Sequence, residues 1–281
     1  MSTLTSNGRG AAFWNGTMGH AWVAQQAVIS DVFKSVTNVS LDAAAAGPGE
    51  QVIDIGCGTG DTLLAFAEAV GQSGSVLGVD VSRPMLELAK HRVAEAGLTN
   101  VSCALADATT YAFEPRRTNL VYSRFGVMFF DDPTKAFANI RTGMKAGGRL
   151  VFICFRAMQE SPWFRVPVDA ARPHVPPLPP ANPFAPGMFS LACEERLRAI
   201  LVDAGFEHIA IDAINVPVDG KDVTQSIAFM TSAGPLPALL ENGSDQQRKR
   251  ATEAVRDVLT KHLGADGRGL HVGVWLVSAL A

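Results

Sequence analysis

The chain is short of charge, of cysteine and of long apolar runs. Asp, Glu, Lys and Arg make up 18% of its 281 residues and the formal net charge is −3. Neither sign is in enough excess to draw a nucleic acid or an anionic membrane by its field. The densest basic group, Arg248-Lys249-Arg250 behind Gln246-Gln247, reads as a solvated helix face. The four cysteines, Cys57, Cys103, Cys154 and Cys193, contain no C-x-x-C pair. They argue against a disulfide framework or a zinc site and fit reduced, buried or half-buried thiols in a cytoplasmic protein. No stretch reaches the roughly 18 apolar residues of a membrane span. Residues 1–10 are polar, lack the apolar centre of an export signal and are expected to form a disordered tail. His, Asp and Glu do not cluster at ligand spacing, so no metal is expected. The expected partner is a small molecule, with no nucleic acid and no membrane insertion; the oligomeric state stays open.

What the chain does have is a dense stretch at 52–61. Val52-Ile53-Asp54-Ile55 is an apolar, β-branched run, and Gly56-Cys57-Gly58-Thr59-Gly60 then places glycine at alternate positions before an amphipathic segment. Strand, glycine turn and helix make a nucleotide-binding unit. Glycine permits positive φ and close backbone approach, and the N–H groups at the helix start favour a polar or anionic ligand. A second strand, 75–80, ends in Asp80, 20 residues past Gly60, where a ribose hydroxyl pair is usually held. A nicotinamide-binding fingerprint needs a further glycine where Asp61 stands, which disfavours an oxidoreductase.

Strands alternate with helical stretches of about 10 to 15 residues, the pattern of a doubly wound α/β sheet. Leu63, Phe66, Ala67 and Val70 form one helix stripe; Met85, Ala89, Val93 and Ala96 form another, with Ser82 as its expected N-cap. Further strands are expected at 100–106, 119–123, 149–155 and 208–216, with a helix at 133–144 capped by Asp131 or Asp132. One or two helices should precede the sheet. Proline density at 161–187 predicts an ordered loop free of regular helix. Ser190 should cap a helix running to Ala204. Asp222 and Ser244 should open two more, each with a glutamine three residues on. A last strand is expected at 270–280. The whole reads as one domain over 11–281: an N-terminal helical cap at 11–45, a binding core at 50–156, a proline-rich lid at 157–189, and a remainder at 190–281 with a helical insertion at 222–263.

Asp54-Ile55-Gly56-Cys57-Gly58-Thr59-Gly60, then Asp80, then Ala106-Asp107-Ala108 resemble the first three motifs of the class I S-adenosylmethionine-dependent methyltransferases. The layout is similar to the broad group related to ubiquinone and menaquinone C-methyltransferases (methyltransferase type 11-like), although the Arg-Asn pair usual there is replaced by Val127-Met128-Phe129. The resemblance implies a Rossmann-like seven-stranded sheet, mostly parallel, with the last strand antiparallel between the fifth and sixth. It also implies S-adenosyl-L-methionine as cofactor. Gly56, Cys57, Gly58 and Gly60 would pass under the methionine moiety, and Asp54 would orient its ammonium. Asp80 would take the ribose, Asp107 the adenine amino group, and Val81 and Ala108 would flank the ring; Ser123 completes the expected cofactor set. Asp107 also suits a helix cap or Asx-turn.

Substrate contacts are expected from Trp14 and Trp22 before the sheet and from Arg124, Phe125, Met128 and Phe129 after the fourth strand. Trp163, Phe164, Phe184, Met188 and Phe189 bracket the proline-rich loop and belong to the same apolar set. A largely apolar or aromatic small molecule would suit such walls. If a general base is needed, His20 and His174 are the candidates. An S-adenosylmethionine-binding protein without turnover remains the alternative, because binding motifs do not by themselves imply catalysis.

Overall fold

The computed structural model describes residues 6–180, 182–219, 222–264 and 268–281. Its strands are β1 (Gln51–Ile55), β2 (Ser75–Asp80), β3 (Val101–Leu105), β4 (Thr118–Arg124), β5 (Met144–Phe155), β6 (Glu207–Pro217) and β7 (His271–Leu280). They form one sheet in the order β3-β2-β1-β4-β5-β7-β6. The pairs from β3 to β5 are parallel, while β7 runs antiparallel to both β5 and β6. The Rossmann-like sheet expected above is thus present. Strand order reverses at β1, between β2 and β4, and ligands of open α/β sheets bind beyond the carboxyl ends at such a point. Val52 to Ile55 are buried on both faces, which explains the unbroken apolar run and makes Asp54 its one polar exception.

Helices α5 (Asp61–Val70), α6 (Arg83–Glu95) and α7 (Pro133–Thr142) follow β1, β2 and β4. The Leu63, Phe66, Ala67 and Val70 stripe is buried. Met85, Ala89 and Val93 are buried too, but Ala96 is exposed and Leu86 takes its place. Asp132 caps α7 by accepting the Lys135 N–H at 3.0 Å.

Before the sheet stand four helices rather than one or two: α1 (Ser6–Asn15), α2 (Thr17–Ala24), α3 (Gln26–Val32) and α4 (Lys34–Ala44). The expectation of a disordered tail at 1–10 is corrected from Ser6 onward; residues 1–5 lie outside the described residues. Isolated, so short a glycine-bearing helix is marginal. Here tertiary bonds hold its end: Asn15 Nδ2 donates to the Val81 carbonyl at 2.8 Å, and Ser82 Oγ donates to the Trp14 carbonyl at 2.7 Å.

The proline-rich stretch also departs from expectation, since α8 (Pro162–Ala171) is a regular helix. Pro162 occupies its first turn, where no N–H is needed, and Pro167 lies inside it. Burial of Trp163, Phe164, Val166, Val168 and Ala171 offsets the interrupted ladder. Ser190 does not cap the next helix, α9 (Glu194–Asp203). Its hydroxyl donates instead to the Met128 carbonyl at 2.6 Å, and Cys193, exposed rather than helical, holds the N-cap position. Before β7 come α10 (Val223–Ser232), α11 (Leu236–Glu241) and α12 (Asp245–His262), three helices where two were expected. Asp222 accepts the Gln225 N–H at 2.7 Å, and Ser244 with Gln247 forms a complete capping box.

Candidate functional site

After Ile55 the chain turns through Gly56, Gly58 and Gly60, whose φ values are +68°, +54° and +87°. A Cβ on Gly56 would stand 2.7 Å from Gly126 Cα, so two backbones touch beneath the opening. On Gly58 it would meet nothing within 4 Å. Gly60 serves packing as well as the turn, since a Cβ there would lie 3.0 Å from that of Ala89 on α6.

Three carboxylates converge on this loop from successive strand ends. Asp80 is buried at the end of β2, where Oδ2 accepts the Gly58 N–H at 2.8 Å and Oδ1 accepts the Ser82 N–H at 2.7 Å. Burial raises its pKa, with those two N–H groups opposing the shift. Asp54 lies deeper. Its Oδ2 accepts from the Thr62 hydroxyl, while Oδ1 is buried without a partner among the described residues. Burial pushes its pKa up to about 7 against the Thr62 bond and the charge of Arg124. Asp107 follows β3 and forms an Asx-turn, its Oδ1 accepting the Thr109 N–H at 2.8 Å.

These groups open into a cavity of about 190 Å³. Gly56, Cys57, Gly58, Asp80, Val81, Asp107 and Ala108 line one end of it. The remainder is aromatic: Trp14 and Trp22 from the N-terminal helices, Phe125, Phe129 and Phe130 after β4, Phe155 from β5, and Phe164 from α8. Phe125 stacks on Phe155 with ring centroids 4.1 Å apart, and Trp14 meets Phe129 edge-on at 5.0 Å. Such offset and edge contacts hold walls in place beyond what their buried area gives.

Arg124 and Met128 line the cavity as well. Three residues of the expected cofactor set do not. Asp54 and Gly60 lie behind the lining, and the Ser123 hydroxyl donates to the Ile55 carbonyl at 2.7 Å, tying β4 to β1. Neither histidine is among the lining residues: His20 is exposed on α2, and His174 sits in a helical turn after α8. Neither is placed to act as a base in this cavity. Trp163 is core and Phe184 is exposed against Arg196, leaving Phe164 and Met188 as the loop residues that reach the cavity. Sequence reasoning missed Phe33, Thr62, Met85, Phe155 and Phe229. Thr62 had a signal, standing in the first helical turn two residues after Gly60, whereas Phe33, Phe155 and Phe229 read as ordinary core.

Residues 52–148 match the methyltransferase domain family. This segment is a methyltransferase domain. The chain is 38% identical over 112 residues to aklanonic acid methyltransferase DauC of Streptomyces sp. strain C5, covering 40% of this chain and 51% of that protein. A ubiquinone/menaquinone biosynthesis C-methyltransferase of Teredinibacter turnerae is 32% identical over 123 residues, covering 43% and 49%. The chain thus spans about half the length of the curated relatives it matches. In fold it is similar to phosphoethanolamine N-methyltransferase 2 of Haemonchus contortus in complex with S-adenosyl-L-methionine. The TM-score is 0.61 at 20% identity, over 96% of this chain and 59% of that one. The methyltransferase domain contributes the glycine loop and the three carboxylates; the aromatic walls come largely from segments on either side of it.

Proposed function

We propose that this chain transfers a methyl group from S-adenosylmethionine to a small, largely apolar or aromatic molecule. The observation that carries the reading is continuity: one cavity runs from a glycine loop flanked by Asp80 and Asp107 into an aromatic chamber. The residues present fit the cofactor. The orphaned Asp54 oxygen suits an ammonium, the Gly56 turn leaves no room for a side chain, and Val81, Met85 and Ala108 offer apolar surface beside Asp107 for a base. Asp80 still has acceptor capacity for ribose hydroxyls beyond its two N–H donors, since a carboxylate offers about four lone-pair sites.

When bound, the cofactor supplies a sulfonium methyl to an in-line nucleophile. The chain's own part is to hold both reactants at near-attack distance and exclude water. Support for a small-molecule substrate comes from the named activity of the aklanonic acid relative and from the predominance of apolar lining residues here. Titration calorimetry with S-adenosylhomocysteine and with NADH tests the cofactor; micromolar binding of the first alone is expected. Incubation with methyl-labelled cofactor and a metabolite extract tests turnover. Binding without any labelled product would favour the non-catalytic alternative.

A further inference from the structure

Arg124 is the one cationic side chain among the described residues lining the cavity; it directly precedes Phe125 of the aromatic wall, and its side chain reaches Asp61 just after the glycine loop. Its side chain is only 16% exposed. Nη1 donates to Thr37 Oγ1 at 2.5 Å, and Nη2 lies 3.5 Å from Asp61 Oδ2. That carboxylate is better served by others: Arg92 at 2.7 Å, Ser30 at 2.6 Å and Gln26 at 3.0 Å. Asp61 therefore lies closer to Arg92 but shares its charge with Arg124, whose other partner is a neutral hydroxyl. Each terminal nitrogen of this guanidinium makes one hydrogen bond, at 2.5 and 3.5 Å, so a second N–H on each remains for a further acceptor. Close by, the Asp54 oxygen has the opposite deficit, an acceptor without a donor.

We infer that Arg124 is the carboxylate-binding group of this cavity, receiving a carboxylate through its guanidinium fork. The inference rests on the methyl-transfer reading and adds a ligand chemistry to it. Two molecules could bring the carboxylate: the amino-acid end of the cofactor, beside Asp54, or an apolar substrate acid in the aromatic chamber. In the second case no base is required, and the described lining contains no His, Lys, Glu or Tyr to act as one. A carboxylate oxygen's lone pair would form the new bond to the methyl carbon as the carbon–sulfur pair passes to sulfur. Anion and sulfonium become ester and thioether, and no proton moves.

Calorimetry on the full chain separates the sources with two ligand pairs. One pair is S-adenosylhomocysteine and its decarboxylated form; the other, titrated into protein saturated with S-adenosylhomocysteine, is 2-naphthoic acid and 2-naphthamide. In wild type, one pair should favour its carboxylate member by at least about tenfold, the scale of a charge-assisted hydrogen bond. Arg124→Gln should erase that preference and Arg124→Lys should keep part of it. A preference in the first pair assigns Arg124 to the cofactor, and in the second to the substrate. If neither pair discriminates in wild type, the inference is overturned whether or not the glutamine variant folds. It is also overturned if the preference survives in folded Arg124→Gln. Failure of S-adenosylhomocysteine to bind wild type at all would instead remove the methyl-transfer reading beneath it.

Discussion

The side-chain oxygen of Asn15 accepts the backbone N–H of Arg83 at 2.9 Å, so a residue 68 positions upstream caps the helix that Ser82 begins. Ser82 holds the N-cap position but makes no cap bond, its hydroxyl being committed to the Trp14 carbonyl. Two polar exchanges thus pin the first helix to the loop after Asp80, and with it Gly10, Ala11 and Trp14 at the cavity. Asn15→Ala should cost about 1 kcal/mol, the usual worth of a cap. Urea unfolding should show the loss, and limited proteolysis should cut more readily before residue 20. An unchanged midpoint and digestion pattern would mean that the first helix docks by its rings alone.

Asp80 has a structural duty that its motif position does not reveal. Both oxygens already accept backbone N–H groups, from Gly58 and Ser82. Asp80→Ala should therefore weaken S-adenosylhomocysteine binding and also lower the stability of the unliganded protein by about 1–3 kcal/mol, the cost of stranding buried donors. A variant that loses affinity while melting like wild type would contradict the second half.

Asp54 gives the protein a pH signature. Burial lifts its pKa from 3.8 to about 7, so the native state holds a proton that the unfolded state has released. Stability should fall as pH rises between those two values and level off above the upper one. Asp54→Asn should flatten this part of the profile in chemical unfolding measured from pH 4 to 8. A cationic ligand group beside Asp54 would favour the carboxylate, so cofactor binding near pH 7 should release a proton. Calorimetry in buffers of different ionisation enthalpy would detect it, and identical heats in all buffers would count against the coupling.

The sheet and the glycine loop were legible because each follows from local chemistry. A central strand buried on both faces must be apolar, and a tight turn at a strand end demands glycine. Asp54 was singled out only by its place in the methyltransferase motif, and its burial inside a central strand came from the structure. The helix at Pro162–Ala171 was hidden because proline content argues locally against it, whereas its stability comes from the rings it buries. His20 and His174 had chemistry but no placement, and sequence carries no signal for where an exposed helix face or a terminal turn will point. The role of Asn15 was illegible because its partners lie on the far side of β1 and β2 in sequence.

Phe125 joins backbone strain to the cavity wall. Its φ is +68°, a region where a Cβ costs energy, and its ring stacks on Phe155 and meets Phe33 edge-on at 5.4 Å. The neighbouring contact of Gly126 with the glycine loop fixes the chain there, so Phe125 has little freedom to relax into another basin. Phe125→Ala should lose the ring and keep the strain, whereas Phe125→Gly should lose the ring and relieve it. The glycine variant should then be the more stable of the two by about 1 kcal/mol, reversing the usual order in which glycine costs more than alanine. Both should bind S-adenosylhomocysteine within about threefold of wild type, and both should lose most methyl transfer once a substrate is known, because the missing ring opens the chamber to water. Thermal unfolding of the pair decides the backbone argument without any substrate: alanine equal to or above glycine would show that the positive φ is not held in solution.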